Sequence, residues 1–402
     1  MQRDGTAFSH SLKNMAAKRK IMTLNAFSLY GDLDAELRSA DEKKKECGGD
    51  DAPNNKRARE EQCELSLAEC SHANADSKKE VWEGEDAQSN KRSGEEDVSL
   101  STLTTEGVEW VKVLSVCGWR KGEREEMQDA HVLNDQFELR AADVKTSAFY
   151  AIFDGHAGRR AAQFTAERLP SMLRDKFSSC ISVAEIEGSL KRIFVESYRQ
   201  VDEQFLAQAR RVRPTWKDGT TATTILVLNT TVYCANIGDS RAVVCRQKSH
   251  ETVVAMQLTV DHSPLQFDER MRIQKAGGTV KDGRIMGVLE VSRSIGDGQF
   301  KAHGVTCVPD VKKFSITPND RFILIACDGL WKTFGNQEAV EYVLQKTLET
   351  VKAEKTLEDE TLIDSRYSVW ERTAGELAAE SVRRGCADNV SVIIVVLNDA
   401  VH

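Results

Sequence analysis

The feature that most constrains this chain is an apolar run, residues 149–153, that stops abruptly at Asp-Gly-His-Ala-Gly, residues 154–158. Apolar and aromatic residues followed by turn glycines predict a buried strand that breaks into a loop. The pattern recurs at 322–327, which is followed by Asp328, and Asp388 stands just before a third apolar run. A carboxylate at a strand end lies at the rim of a core, where a cation can reach it. We therefore predict a hydrolase that uses hard cations with oxygen ligands.

The chain divides into two regions of different composition. Residues 1–107 are rich in charged and small polar residues, which predicts a disordered tail, and apolar runs recur regularly through 108–398, which predicts one folded domain. Within the tail, the basic clusters 43–45 and 56–59 are separated by ten residues. This spacing resembles a bipartite nuclear-import signal read by an import receptor, and the alternative is a charged, solvated tail. We expect a cytoplasmic protein, and a nuclear one as well if the signal works.

Charge and cysteine spacing exclude several classes of protein. The net charge of −8 disfavours nucleic acid as a partner. Ten cysteines occur singly with no CxxC pair, which excludes common zinc and redox motifs and favours a reducing compartment. Cys234, Cys245 and Cys327 fall in apolar runs and are expected in the core. No apolar stretch reaches the roughly 18 residues of a membrane span. We expect a monomer that does not bind membranes.

The order of the predicted elements favours an α+β layered fold, because strands come in consecutive hairpin-like groups and do not alternate one-for-one with helices. Strands are predicted near 110–117, 130–134, 147–153, 222–228, 231–237, 241–246, 252–258, 305–308, 322–327 and 390–397. Helices are predicted at 158–177, 184–209, 266–276, 336–353 and 370–385. The highly charged segment 351–372 is expected to be a solvated loop, with a docking site as the alternative.

Eight short motifs follow one another in a recognisable order. They lie at residues 124–131, 154–158, 218–222, 236–241, 277–278, 291–297, 327–329 and 388–391. This series resembles the PP2C (PPM) family of metal-dependent protein serine/threonine phosphatases. The resemblance implies a four-layer α-β-β-α sandwich with two central antiparallel sheets, phosphoprotein substrates and two Mg²⁺ or Mn²⁺ ions in a cleft at one end. Segments 121–131, 287–299 and 329–332 are most similar to the integrin-linked kinase-associated subgroup, which implies integrin-linked kinase or its complexes as partners.

The resemblance also implies a ligand set. Asp154 matches the carboxylate that bridges the two ions, the carbonyl of Gly155 matches a ligand of the second ion, and Asp328 and Asp388 match ligands of the first. Two such metals lower the pKa of a bridging water and hold the phosphoryl group for in-line attack. Oxygen ligands with retained waters suit Mg²⁺ or Mn²⁺ better than zinc.

Two residues match the family's catalytic groups. His156 resembles the general acid that protonates the leaving serine or threonine oxygen. Arg124 resembles the arginine whose planar fork grips two phosphoryl oxygens. We prefer it to Arg120 because its five-residue spacing to Asp129 is that of the family.

Further residues are expected to support the site or the fold. The set that holds waters and ligands in place is Gln128, Asp129, Thr221, Asp239 and Asn389. A second set is expected to have mainly structural roles: His131, His262, Arg241 and Arg293.

Two positions depart from the family pattern. Gln128 stands where many members have Glu, and Lys332 stands where many have an Asp that helps to bind a third metal. Because a lysine ammonium repels a cation, we expect no conventional third site. The leading prediction is an active phosphatase, since the full ligand set is present. The alternatives are a pseudophosphatase that binds a phosphoprotein or kinase without turnover, and a dinuclear hydrolase of small phosphate esters.

Overall fold

The computed structural model describes residues 113–249, 252–355 and 362–397. The predicted disorder of residues 1–107 and the predicted import signal at 43–59 lie outside the described residues.

Strands and helices occur in the grouped order that the sequence predicts. The strands are β1 Leu114–Arg120, β2 Ala130–Asn134, β3 Ser147–Phe153, β4 Gly155–His156, β5 Gly219–Thr220, β6 Ala222–Leu228, β7 Thr231–Ile237, β8 Arg241–Ser249, β9 Thr252–Gln257, β10 Val280–Lys281, β11 Arg284–Ile285, β12 Ile295–Gly296, β13 Asp310–Ser315, β14 Asp320–Ala326 and β15 Val390–Val396. The helices are α1 Arg160–Phe177, α2 Val183–Arg211, α3 Phe267–Lys275, α4 Asp328–Trp331, α5 Asn336–Lys355 and α6 Leu362–Arg383, with a 3₁₀ turn at Lys301–His303.

Two five-stranded antiparallel sheets form the centre of the fold. One has the order β1-β15-β14-β8-β9 and the other β13-β7-β6-β3-β2. Strand β3 shows why they stack: Phe149 and Ala151 pack on one face with the helices, while Tyr150 and Ile152 pack on the other face with the second sheet. A strand with apolar residues on both faces is stable only when both faces are covered.

Helices cover the outer face of each sheet. α1 and α2 contribute to the cluster beneath the β3 sheet, and α5 and α6 contribute to the cluster beneath the β14 sheet. In α1 the predicted apolar face is confirmed, because Leu169, Leu173 and Phe177 are buried. The result is the predicted α+β sandwich of four layers, α-β-β-α.

Three expectations about the elements are settled by the structure. Residues 305–308 form no strand and contribute one bridge, from Thr306 to Arg293; the strand lies further on, at β13, which was not predicted. Segment 351–372 is not simply a loop, because α5 and α6 extend into it from both sides. Cys234, Cys245 and Cys327 are buried in the core, as predicted.

Within the described residues, no helix combines the length and apolar composition that crossing a bilayer requires.

Candidate active site

Four carboxylates collect at one end of the sandwich because of where their strands end. Asp154 directly follows β3, Asp328 follows β14 after one residue, and Asp239 lies in the short connection that carries the chain from β7 in one sheet to β8 in the other. One oxygen of each of these three carboxylates lies within 4.8 Å of the others. Asp388 precedes β15, which pairs with β14, so it reaches the same end.

Two glycines allow the backbone segments of the site to approach closely. A Cβ at Gly329 would lie 2.1 Å from the carbonyl oxygen of Asn389, and one at Gly155 would lie 2.3 Å from that of Gln128. No side chain fits at such distances. The close packing brings Asp328 beside Asp388 and places the loop before β2 against the end of β3.

The clustered carboxylates are short of positive charge. Burial, followed by the charges of Asp129 and Asp328, raises the pKa of Asp154 well above its usual value. Burial and Asp328 raise the pKa of Asp239 to about 7, and burial raises that of Asp129 to about 6. A bound cation would stabilise the ionised form of carboxylates that repel one another in a buried site. Three carboxylate oxygens within 4.8 Å of one another suit a hard divalent cation.

Asp388 differs from the other carboxylates because cations already neutralise it. Its Oδ2 atom accepts hydrogen bonds from Arg124 Nη2 at 2.9 Å and from Lys332 Nζ at 3.3 Å. Burial acts to raise its pKa, but the Asn389 N–H, Lys332 and Arg124 outweigh burial and lower the pKa. Lys332 Nζ also lies 2.6 Å from Asp328 Oδ2. On one side of the acidic cluster, Asp328 and Asp388 are therefore paired with cationic side chains. The side formed by Asp154 and Asp239 has no such pair among the described residues.

His156 is held by a buried carboxylate. Its Nε2 atom lies 2.7 Å from Asp297 Oδ2, which also accepts a 2.6 Å hydrogen bond from Ser294 Oγ. Burial acts to lower the pKa of His156, but the charge and hydrogen bond of Asp297 outweigh burial, and the pKa is raised. An imidazole held in this way retains a proton that it can donate.

Asn389 and Thr221 fix the loops around the carboxylates. Asn389 Oδ1 accepts from the Gln128 N–H at 2.7 Å, and its Nδ2 donates to the carbonyls of Lys121 and Glu126 at 2.8 and 3.0 Å. This network fastens the loop that carries Arg124. Thr221 Oγ1 accepts from the Asp154 N–H at 3.1 Å and so ties the Asp154 backbone to the start of β6.

A cavity of about 270 Å³ opens over the cluster. Of the predicted site residues, those that line it are Arg124, Gln128, Asp154, Gly155, His156, Thr221, Asp239, Asp328, Asp388 and Asn389. Asp129 does not line it; its Oδ2 accepts from Ser391 Oγ at 2.7 Å beside the cluster.

Sequence reasoning missed a further part of the cavity wall. Lys217, Arg284, Val288 and Glu290 also line the cavity. Arg284 lies on the two-residue strand β11, which is too short to show a periodic pattern. Val288 and Glu290 lie in segment 287–299, which the sequence analysis singled out without assigning these two residues to the site.

The residues predicted to be structural lie outside this cavity. We expected Arg241 and Arg293 to make ion pairs within their own motifs. Both make ion pairs, but each partner lies outside the motif: Arg241 pairs with Asp261 at 2.7 Å, and Arg293 pairs with Glu269 at 2.8 Å. His262 is buried, with Nε2 3.0 Å from Asp310 Oδ2. His131 lies exposed on β2.

A carboxylate cluster, a histidine–carboxylate pair and an arginine at the end of an α-β-β-α sandwich define a hydrolase site suited to divalent cations. The family model described as Protein phosphatase 2C matches residues 115–390. The chain belongs to the protein phosphatase 2C family, whose members are metal-dependent phosphoprotein phosphatases.

Curated relatives agree with this family. The chain is 49% identical over 281 residues to "Integrin-linked kinase-associated serine/threonine phosphatase 2C" of Homo sapiens, a match that covers 69% of this chain and 70% of that protein. The protein of the same name from Bos taurus is also 49% identical, with 74% of its length covered. "Probable protein phosphatase 2C 67" of Oryza sativa subsp. japonica is 36% identical over 297 residues, covering 69% of this chain and 73% of that protein.

Solved structures agree with the fold. "Structure of a C.elegans sex determining protein" superposes with a TM-score of 0.58 at 26% identity, covering 72% of this chain and 66% of that one, just under two thirds. A serine-threonine phosphatase 2C from Toxoplasma gondii superposes with a TM-score of 0.56, covering 71% of this chain and 94% of that one. At 22% identity the second likeness supports the fold alone.

Proposed function

We propose that this chain hydrolyses phosphoserine and phosphothreonine in proteins with the help of two divalent cations, Mg²⁺ or Mn²⁺. The observation that carries the proposal is the approach of Asp154, Asp239 and Asp328 to within 4.8 Å of one another beneath an open cavity. Ions bound there would supply Lewis-acid activation of water and neutralise charge on the phosphoryl oxygens.

Four residues are proposed as the ligands of the two ions: Asp154, Gly155, Asp328 and Asp388. Their positions support this role, because all four line the cavity and come from the ends of β3, β14 and β15. Hydrogen bonds of Thr221 and Asn389 hold the neighbouring backbone in place. A rigid ligand set lowers the entropic cost of binding an ion.

His156 is proposed to deliver the proton to the leaving serine or threonine oxygen. An alkoxide is a poor leaving group, so proton delivery matters more for phosphoproteins than for aryl phosphates. Asp297 supports this role because it holds the imidazole at 2.7 Å and favours its protonated form.

Arg124 is proposed to bind the phosphoryl group. Its side chain is 59% exposed at the cavity, and the hydrogen bond from Nη2 to Asp388 aims the guanidinium at the cluster. A guanidinium has five N–H donors, so this bond leaves others for phosphoryl oxygens.

The test is hydrolysis of a phosphothreonine peptide by the full chain with Mn²⁺ or Mg²⁺, with chelator, and with Asp154→Asn. We expect turnover that requires metal and falls by at least about 10³-fold in the variant, because the central carboxylate is lost. Asp175→Asn, which alters an exposed carboxylate of α1, is the matched control and should retain full activity. No turnover from folded, metal-loaded protein would favour the pseudophosphatase alternative.

The cellular setting is also a proposal. The name of the relatives supports substrates in integrin-linked kinase signalling, and we propose a cytoplasmic monomer whose folded domain spans 108–398.

We propose in addition that the basic clusters 43–45 and 56–59 bind an import receptor and bring part of the protein to the nucleus. Imaging a variant with both clusters changed to alanine tests this, since an unchanged nuclear fraction would rule the signal out.

A further inference from the structure

We infer that Lys332 is a built-in competitor for the cation that Asp328 and Asp388 hold, so that metal binding requires its ammonium group to leave these carboxylates. The inference rests on the proposed function, because it takes the two aspartates as metal ligands. It concerns which group contacts the carboxylate oxygens of Asp328 and Asp388 before a metal ion binds.

The contacts of Lys332 are those of a cation between two carboxylates. Its Nζ atom lies 2.6 Å from Asp328 Oδ2 and 3.3 Å from Asp388 Oδ2. Arg124 Nη2 lies 2.9 Å from the same Asp388 oxygen. A divalent ion bound through these oxygens must replace contacts that already exist, and it must do so beside a positive charge.

The backbone places Lys332 over Asp328. Asp328 opens the short helix α4, and the Lys332 N–H donates to the Asp328 carbonyl at 2.8 Å. Residues four apart on a helical turn lie on the same face, so the lysine side chain points back toward the aspartate. Trp331 Nε1 donates to the Ala326 carbonyl at 2.8 Å and holds the turn against β14. The ion pair is therefore built into a fixed turn.

The ammonium group has room to leave. The Lys332 side chain is 49% exposed, so it can move into solvent without disturbing the core. The other side of the cluster is different, because no ion pair joins Asp154 or Asp239 to a lysine or arginine within the described part of the chain. Among the described residues, lysine and arginine side chains pair only with the Asp328–Asp388 side of the cluster, so a metal ion competes with side chains of the protein on that side.

A purely structural role for Lys332 predicts the opposite result on mutation. If the lysine merely positions Asp328 and Asp388, removing it lets the carboxylates move apart and weakens metal binding. If it competes, removing it frees ligands, removes a repelling charge and tightens binding. The sign of the change in metal affinity therefore distinguishes the two roles.

The experiment measures Mn²⁺ binding to the full chain after chelator treatment, by calorimetry and by the electron paramagnetic resonance signal of free Mn²⁺. We expect Lys332→Met to lower the Mn²⁺ Kd of the site formed by Asp328 and Asp388 about tenfold or more, because a neighbouring unit charge repels an ion strongly in a partly buried site. Lys332→Gln should act in the same direction, and Lys332→Arg, which keeps the charge, should change the Kd much less.

Lys346→Met is the matched control. Lys346 pairs with Glu349 at 2.7 Å on the surface of α5 and does not line the cavity. This variant also removes one lysine and one ion pair, and its Mn²⁺ Kd should equal that of the unchanged chain.

Thermal unfolding gives a second readout that does not depend on activity. Without metal, Lys332→Met should unfold at a lower temperature, because Asp328 and Asp388 lose a neutralising partner. Saturating Mn²⁺ should raise its Tm by more than it raises that of the unchanged chain, because tighter binding to the folded state stabilises it more.

An unchanged or weaker Mn²⁺ affinity in Lys332→Met, while the unchanged chain binds Mn²⁺ and hydrolyses phosphopeptide, would overturn the inference and leave the proposed function intact. If no protein, including the unchanged chain, bound Mn²⁺, the metal assignment and the inference would both be overturned.

Discussion

Gly219 shows how a single residue controls the geometry of the cleft. A Cβ at this position would lie 2.1 Å from Asp297 Oδ2 and 2.3 Å from His156 Nε2. His156 and Asp297 therefore meet in a space that any side chain at position 219 would fill, so this position requires glycine. The pair depends on the backbone of β5 as much as on its own two side chains.

The first prediction concerns Asp297→Asn, which keeps the shape of the side chain and removes its charge. We expect kcat for a phosphothreonine peptide to fall about 10²-fold, because the imidazole loses the anion that favours its protonated form. Turnover of p-nitrophenyl phosphate should fall much less, since its leaving group needs no proton. The measurement is the ratio of the two kcat values.

Asp268→Asn, on the exposed side of α3, should leave that ratio unchanged. Equal losses on both substrates in Asp297→Asn would contradict proton delivery by His156.

At the scale of elements, α3 is fastened to the cavity wall by one buried carboxylate. Glu269 accepts hydrogen bonds from Arg272 Nη1 at 2.6 Å and from Arg293 Nη2 at 2.8 Å, and Ser292 Oγ also donates to it. Burial acts to raise the pKa of Glu269, but these three partners outweigh burial and lower the pKa far below its ordinary 4.5. The helix and the segment around Ser292 thus share one charged anchor.

The second prediction is that Glu269→Gln costs about 3 kcal/mol of stability at pH 7, because it leaves two arginines without their buried partner. A carboxylate whose folded pKa lies below its unfolded pKa stabilises the fold above the unfolded value and loses this effect as pH falls. The stability gap between the two proteins should therefore shrink as pH falls below about 4.5.

Denaturant unfolding between pH 7 and pH 3 measures that gap. Glu349→Gln, at the surface pair on α5, should show almost none. A gap that stayed constant with pH would mean that the charge of Glu269 is not what fastens α3.

Prediction from the sequence was reliable for the central strands and for the edge strands β2 and β9, and it missed the edge strand β13. β3 and β14 carry apolar residues on both faces, so their runs stand out. β13, with the sequence DVKKFS, lies at a sheet edge and exposes both lysines, so its pattern resembles a loop. Charged residues at edges protect sheets from pairing with other chains. The segment 351–372 was misjudged for a related reason, since charge alone does not separate a solvated helix from a loop.

The sequence indicated most of the carboxylates that the structure brings to one cavity, but it gave no information about their contacts. Asp154 and Asp328 were recognisable because each ends an apolar run. The ion pair of Lys332 with Asp388 joins residues 56 positions apart and appears only when β14 and β15 are paired. Arg284, on the two-residue strand β11, and Glu290 reach the cavity from segments too short to show a periodic pattern.

At the scale of the whole molecule, one apolar layer joins the two sheets. Ile152 and Ile225 enter this layer from one sheet, and Ile323, Ile325 and Ile393 enter it from the other. All five side chains are fully buried. Because the carboxylates of the site come from both sheets, this layer also sets the distance between them.

The third prediction is that Ile325→Ala destabilises the fold by about 3 kcal/mol, through lost burial and the cavity left between the sheets. Both sheets should still unfold in one transition, since they share the layer. Thermal and denaturant unfolding, each followed by fluorescence and by circular dichroism, measure the loss and its cooperativity.

Leu348→Ala, at a side chain that is 50% exposed on α5, should cost less than about 0.5 kcal/mol. Two separate transitions in Ile325→Ala would show that the sheets are independent.

The position of β15 has a consequence for how the protein is made. β15 lies between β1 and β14, so the earliest described strand pairs with the last one, with Leu114 opposite Val396. While the ribosome is still adding residues, β1 and β14 present open edges, and Asp388 has not reached its place beside Asp328. Open strand edges favour association with other chains. We expect this sheet and its half of the acidic cluster to assemble only after translation of β15, and the nascent chain to need protection until then.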